Sequence, residues 1–155
     1  MPTHYRGQAA DRARLDAFIK MQRAHLALSA SLNAWLAGRG LTAGQFGVLE
    51  TLWHLGPLCQ HQLGAKLLSS RPNITAVLGN LERDGLVRRR RETQDRRSLR
   101  VHLTPKGRRL IGRVFPDFVR HLRGVFAPLD AGELEQFGVL NKKLGRFLAA
   151  GRLQD

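Results

Sequence analysis

After Gly85 the hydrophobic pattern of the chain changes period, and few folds accommodate such a change. Up to Leu81 the apolar residues recur at three- and four-residue steps. From Leu99 they alternate, with Leu99, Val101 and Leu103 separated by Arg100 and His102. Helical spacing that gives way to a period of two means helices feeding a half-exposed strand. Leu86-Val87-Arg88-Arg89-Arg90-Arg91 can pair antiparallel with that strand across the turn-rich residues 92–98. The stretch Arg88–Thr104, RRRRETQDRRSLRVHLT, has seven arginines in seventeen residues. It is nevertheless predicted as strand, tip and strand, not as a basic tail. Because side chains alternate across a strand, only two of Arg88–Arg91 can point the same way.

Immediately upstream, LSSRPNITAVLGNLERDGLV predicts a helix over 71–83: Ser70 is its N-cap, Ile74, Leu78 and Leu81 form its apolar stripe, and Gly85 stops it. A capping-box grammar opens three other helices. Thr42 and Gln45, stapled by Leu41 and Phe46, open a helix over 42–54; Cys59 and Gln62 open 59–68; Asp130 and Glu133 open 130–150. Leu15, Phe18, Ile19, Gln22, Leu26, Ala30, Leu32 and Leu36 trace one long amphipathic helix over 11–37, ended by Gly38-Arg39-Gly40. Thr104 before Pro105 starts a helix running to about Phe126, which Pro116 is expected to kink or break. Two short helices over 59–83 joined by a tight turn are a helix-turn-helix, and the hairpin after them makes a winged helix. The expected fold class is mainly α with a small β-hairpin wing, in one unit over 11–150 without repeat or linker.

The charge says what such a unit is for. At 155 residues and a formal net charge of +14, the chain needs a polyanionic partner: nucleic acid first, an anionic membrane surface second. Of its 26 basic residues 21 are arginine, suited to forked hydrogen bonds with phosphate and guanine. No segment is apolar enough to span a membrane and the first residues lack a signal-peptide core, so a soluble, cytoplasmic protein with no membrane partner is expected. The single Cys59 excludes an intramolecular disulfide framework. The six histidines lack metal-ligand spacing, and no P-loop, HExxH, GxSxG or Cys–His constellation is present, so neither metal, cofactor nor enzymatic activity is expected.

The segment from Leu63 to Gly107 resembles the DNA-binding core of the MarR-type bacterial transcription regulators. The resemblance is carried by Leu-Glu-x-x-Gly-Leu-Val at Leu81–Val87, Asp-x-Arg at Asp95–Arg97 and Leu-Thr-x-x-Gly at Leu103–Gly107, and element order matches over nearly the whole chain. It implies a winged core over 42–104 flanked by dimerisation helices over 11–37 and 105–150. It also implies a homodimeric repressor on a palindromic operator in double-stranded DNA, released by a small effector bound between the dimer region and the winged domain. In one respect the chain departs from the family: Arg71 stands between the capping Ser70 and Pro72.

Such a module needs phosphate clamps, base readers and a wing. Ser70 and the helix starts at 59–62 and 69–71 can donate to phosphate. Arg71 can fork onto guanine, Asn73 or Asn80 can pair with adenine, and Thr75 can meet phosphate or a thymine methyl. Arg88 and Arg90 are the strand arginines expected at DNA. By the family's Asp-x-Arg pattern, Asp95 aims Arg97 into the minor groove with Arg96 alongside. Ligand contacts stay unassigned: Trp35, Trp53, Phe46, His25 and Phe115 could line an effector cavity, but apolar residues at helical spacing are more often plain core. Two other readings stay open: a regulator switched by oxidation of Cys59, whose thiol is a weak cap at a helix start, and a non-specific architectural DNA-binding protein.

Overall fold

The computed structural model describes residues 4–91 and 99–151. In order, these form helices α1 (Ala9–Ala37) and α2 (Ala43–Leu55), strand β1 (Leu58–Cys59), helices α3 (Gln60–Lys66) and α4 (Arg71–Arg83), strands β2 (Val87–Arg91) and β3 (Leu99–Leu103), and helices α5 (Pro105–Val125) and α6 (Ala131–Ala149). The chain divides into two compact units, Met1–Phe115 and Pro116–Asp155. It is mainly α with a small antiparallel sheet, as the change of period requires.

The capping grammar reads out as hydrogen bonds. Thr42 Oγ1 accepts from Gln45 N at 3.2 Å while Gln45 Oε1 accepts from Thr42 N at 2.9 Å. Asp130 and Glu133 make the same reciprocal pair at 2.9 and 3.0 Å. Each pair satisfies two of the backbone donors that a helix start leaves open. At α4, Ser70 Oγ accepts from Asn73 N at 3.4 Å, and Pro72 occupies the first turn, where a missing N–H costs nothing. The helix stops at Gly85, whose φ of +69° lets the N–H of Leu86 return to Leu81 O at 2.9 Å.

Two expectations need correction. Helix α3 is shorter than 59–68, because Cys59 belongs to β1 and Leu67 caps the helix. The turn beyond it takes the same path as that after α4, with Ser69 N donating to Gly64 O at 2.9 Å, but a leucine occupies the left-handed position. Leu68 has φ +48° and is 93% exposed. The break at Pro116 does not occur: α5 runs through it. A helical proline removes one backbone donor, and turns on both sides hold the helix.

A left-handed leucine with almost no burial to offset its strain costs about 1 kcal/mol against glycine. Leu68→Gly is therefore expected to raise the melting temperature by a few degrees, roughly 2–4 °C per kcal/mol for a chain of this size. An unchanged or lower midpoint would show that this turn is not strained.

The sheet has the order β1-β3-β2, all antiparallel. Leu58 pairs with Val101 and Cys59 with Arg100; on the other side of β3, Val87 faces Leu103, Arg89 faces Val101 and Arg90 faces Arg100. Partners across an antiparallel pair share a face. Val87, Arg89, Val101 and Leu103 therefore face one way, and Arg88, Arg90, Arg100 and His102 the other. The inner face closes a core with Leu49, Leu63, Leu78, Leu81 and Ile111. In the second unit, α6 buries none of its residues: Leu134, Phe137, Leu140, Leu144, Phe147 and Leu148 are exposed at helical spacing.

Candidate nucleic-acid interface

The side of α4 turned away from the core carries the residues expected to read DNA. Ile74, Leu78 and Leu81 are buried, whereas Arg71, Asn73, Thr75, Ala76, Gly79 and Asn80 are exposed. Ala76 and Gly79, which sequence reasoning passed over, leave the middle of this face without bulk; a Cβ on Gly79 would meet nothing within 4 Å. Their signal was present in the pattern, as small residues between two polar ends of an exposed helix face. Such a face lets a helix backbone come close to a groove floor.

Several of the expected readers are already engaged. Thr75 Oγ1 donates to Arg71 O at 2.8 Å and accepts from Gln60 Nε2 at 2.7 Å. Its hydroxyl hydrogen is thus committed, and the residue braces α4 against the start of α3. Asn73 Nδ2 donates to Ser69 Oγ at 2.8 Å, which steers its amide and leaves the carbonyl oxygen and one N–H to present. Asn80 Oδ1 accepts from Arg83, so Asn80 sits in a local pair at the far end of the helix. Arg71 stands exposed at the first position of α4, directly after the Ser70 cap.

The arginine block is divided by the pleat. Arg88 and Arg90 are exposed on the outer face with the partly exposed Arg100 and His102. Arg89 lies on the inner face, where its N–H donates to Glu82 Oε1 at 3.0 Å and its Nη1 to Glu82 Oε2 at 2.8 Å. Arg71 and Arg89 both border an open cleft of about 840 Å³ between α3, the start of α4 and the hairpin, which Cys59 also lines. Asp95, Arg96 and Arg97 lie outside the described residues. Cys59 is half-buried and precedes α3 as its N-cap, with Gln62 Oε1 accepting from Cys59 N at 2.9 Å.

The end of α4 is fastened to the start of α5. Thr104 N donates to Leu86 O at 3.0 Å, Thr104 Oγ1 donates to Gly85 O at 2.7 Å, and Gly107 N donates back to Thr104 Oγ1 at 3.0 Å. Lys106 Nζ donates to Asp84 O, the C-cap of α4, at 2.8 Å. The Leu-Thr-x-x-Gly motif is therefore a clamp that fixes where α4 ends. Of the aromatic residues left unassigned by sequence, Phe46 is buried, Phe115 packs edge-on against His54 at 4.7 Å, Arg39 lies 3.7 Å over the Trp35 ring, and Trp53 lies against Gly112; His25 is exposed.

Among the described residues no group of histidine, cysteine and acidic side chains could hold a metal ion, and no helix is long and apolar enough to cross a membrane. The family model for the MarR family matches residues 41–99, from the staple of α2 to the first residue of β3. YkoM, an HTH-type transcriptional regulator of Bacillus subtilis, is 36% identical over 106 residues, 68% of this chain and 69% of that protein. The homoprotocatechuate degradative operon repressor of Escherichia coli is 31% identical over 111 residues, covering 72% and 73%. In fold, the chain is similar to AbsC, a MarR family transcriptional regulator from Streptomyces coelicolor, with a TM-score of 0.83 at 22% identity over 96% of this chain and 99% of that one.

Proposed function

The chain belongs to the MarR family of winged helix-turn-helix transcription regulators, and from that membership we propose that it is a homodimeric repressor holding a palindromic operator until a small effector releases it. The observation that carries the reading is the outer side of α4: small Ala76 and Gly79 between Arg71 and Asn73 at one end and Asn80 at the other. That side fits a major groove with base readers at its N-terminal end. Arg88 and Arg90 supply phosphate contacts, and Ser70 with the first turn of α4 supplies another. Arg96 and Arg97 take the minor groove, aimed by Asp95, on the strength of the motif they stand in.

The dimer follows from α6, whose exposed stripe of leucine and phenylalanine is a surface that water disfavours at roughly 25 cal/mol per Å². A second copy, with α1 and α5 contributing, covers it and places two reading heads on a twofold axis. The repressor named above is the precedent for repression, and the effector is the family's usual release signal. A ligand that prefers a spacing of the heads unlike that of the operator needs only a few kcal/mol of differential affinity to release it.

DNase footprinting on the DNA flanking the chain's own gene tests this. A discrete protected inverted repeat, with half-sites about one helical turn apart, is the expected result. Uniform protection that scales with protein concentration would instead identify an architectural protein living on its +14 charge.

A further inference from the structure

Four consecutive arginines precede the hairpin tip, yet the fold does not present all four. Arg89 is turned to the inner face, and Glu82 takes hold of it twice, once at the backbone N–H and once at the guanidinium, at 3.0 and 2.8 Å. Glu82 is in the last turn of α4 and Arg89 in β2, so this carboxylate joins the recognition helix directly to the wing. β2 is an edge strand of the sheet, and the N–H that Glu82 accepts from is one that could otherwise be met by water.

Stability alone accounts poorly for this arrangement. The two side chains retain 28% and 33% of their exposure, and partly exposed ion pairs contribute little to folding. Two other consequences are larger for a protein that binds DNA. One is geometric: a two-point grip fixes the hairpin relative to α4, so groove reader and wing meet the duplex in one register. The other is electrostatic: an arginine paired with a carboxylate is withheld from phosphate, and phosphate contacts raise affinity for every sequence equally.

We propose that Glu82 is a specificity-determining residue, which pins β2 to the recognition helix and withholds Arg89 from the DNA backbone, lowering affinity for arbitrary sequence while fixing the register on the operator. This rests on the DNA-binding reading above. It predicts that removing the carboxylate strengthens the wrong kind of binding. Full-length wild type, Glu82→Gln, Arg89→Gln and the double variant would be titrated by fluorescence anisotropy on a random-sequence duplex and on the footprinted fragment, between about 50 and 200 mM salt.

With Arg89 released, Glu82→Gln should steepen the salt dependence on random duplex by about 0.9 in slope per reading head, or roughly tenfold tighter binding at the low-salt end for a dimer, and narrow the preference for the footprinted fragment. Arg89→Gln should leave the random-duplex slope at its wild-type value, and the double variant should return to it. A role confined to folding predicts weaker binding with no change in slope. A shallower slope in Arg89→Gln would mean that Arg89 already touches phosphate, and an unaltered slope and preference in Glu82→Gln would also overturn the inference while leaving the repressor reading intact. Wild type without salt-dependent binding to either duplex would remove both.

Discussion

Gly107→Ala is expected to destabilise the winged core by about 3 kcal/mol or more, a loss that lowers the melting temperature by roughly 10 °C. The third residue of α5 has no room for a side chain. A Cβ there would lie 2.9 Å from the carbonyl carbon of Leu86 and closer still to its oxygen. Both atoms are backbone, so no flexible side chain can swing aside. Nor can the carbonyl retreat, because it already accepts from Thr104 N at 3.0 Å and Thr104 Oγ1 lies 3.2 Å away. Making space means moving the start of α5 away from the end of α4, which also strains the Gly107–Thr104 and Lys106–Asp84 bonds. Each bond lost adds about 1 kcal/mol to the overpacking cost.

Gly112→Ala provides the comparison within the same helix. A Cβ at position 112 would lie in ordinary contact, 3.4 Å from the end of the Trp53 ring. Replacing a helical glycine with alanine gains up to about 1 kcal/mol of intrinsic propensity, so this variant should melt at or slightly above wild type. Circular dichroism melts of the two proteins decide the matter. If both variants melted together near the wild-type midpoint, the junction between the start of α5 and the end of α4 would have to be loose.

That junction also shows where sequence reasoning reaches and where it stops. Local rules act over a few residues, and they were legible: the boxes at Thr42 and Asp130, the extent of α4 from Ser70 to Gly85, and the inward and outward faces of the hairpin. Gly107 could be quoted as part of a motif, but its physical cause lies 21 positions upstream at Leu86, and no periodicity connects the two. Glu82 and Arg89 are seven residues apart in different elements. Their union depends on the turn at Gly85 folding the strand back beside the helix. β1 was invisible because two residues cannot display a period of two. The left-handed turn at Leu68 was hidden by its residue type, since glycine is the usual mark of that conformation. Among the candidate readers, residue type suggested which could touch a base, while the fold occupies Thr75 in bracing α4 on α3.

Arg71 is where the remaining binding energy should concentrate, and Arg71→Ala is expected to cost the largest share of operator affinity. Its backbone is held on both sides: Ser70 caps the helix, Pro72 fixes the following φ, and Arg71 O accepts from Thr75, itself tied to Gln60 of α3. The guanidinium is exposed at the end of the helix that enters a groove first. A bidentate arginine–guanine contact discriminates by about 1–3 kcal/mol, and a symmetric dimer uses it twice. The expected loss is therefore about 2–6 kcal/mol, roughly thirtyfold to twenty-thousandfold in Kd on the footprinted fragment. Random duplex should lose far less, and the melting temperature should stay put because the side chain supports nothing. Arg71→Lys then separates reading from charge, since lysine keeps the positive charge but not the fork. Lysine restoring full operator affinity would place Arg71 on a phosphate. Lysine nearly as weak as alanine would place it on a base, and the residue that separates this helix start from the family's Ser-Pro pattern would then be the one that selects the operator.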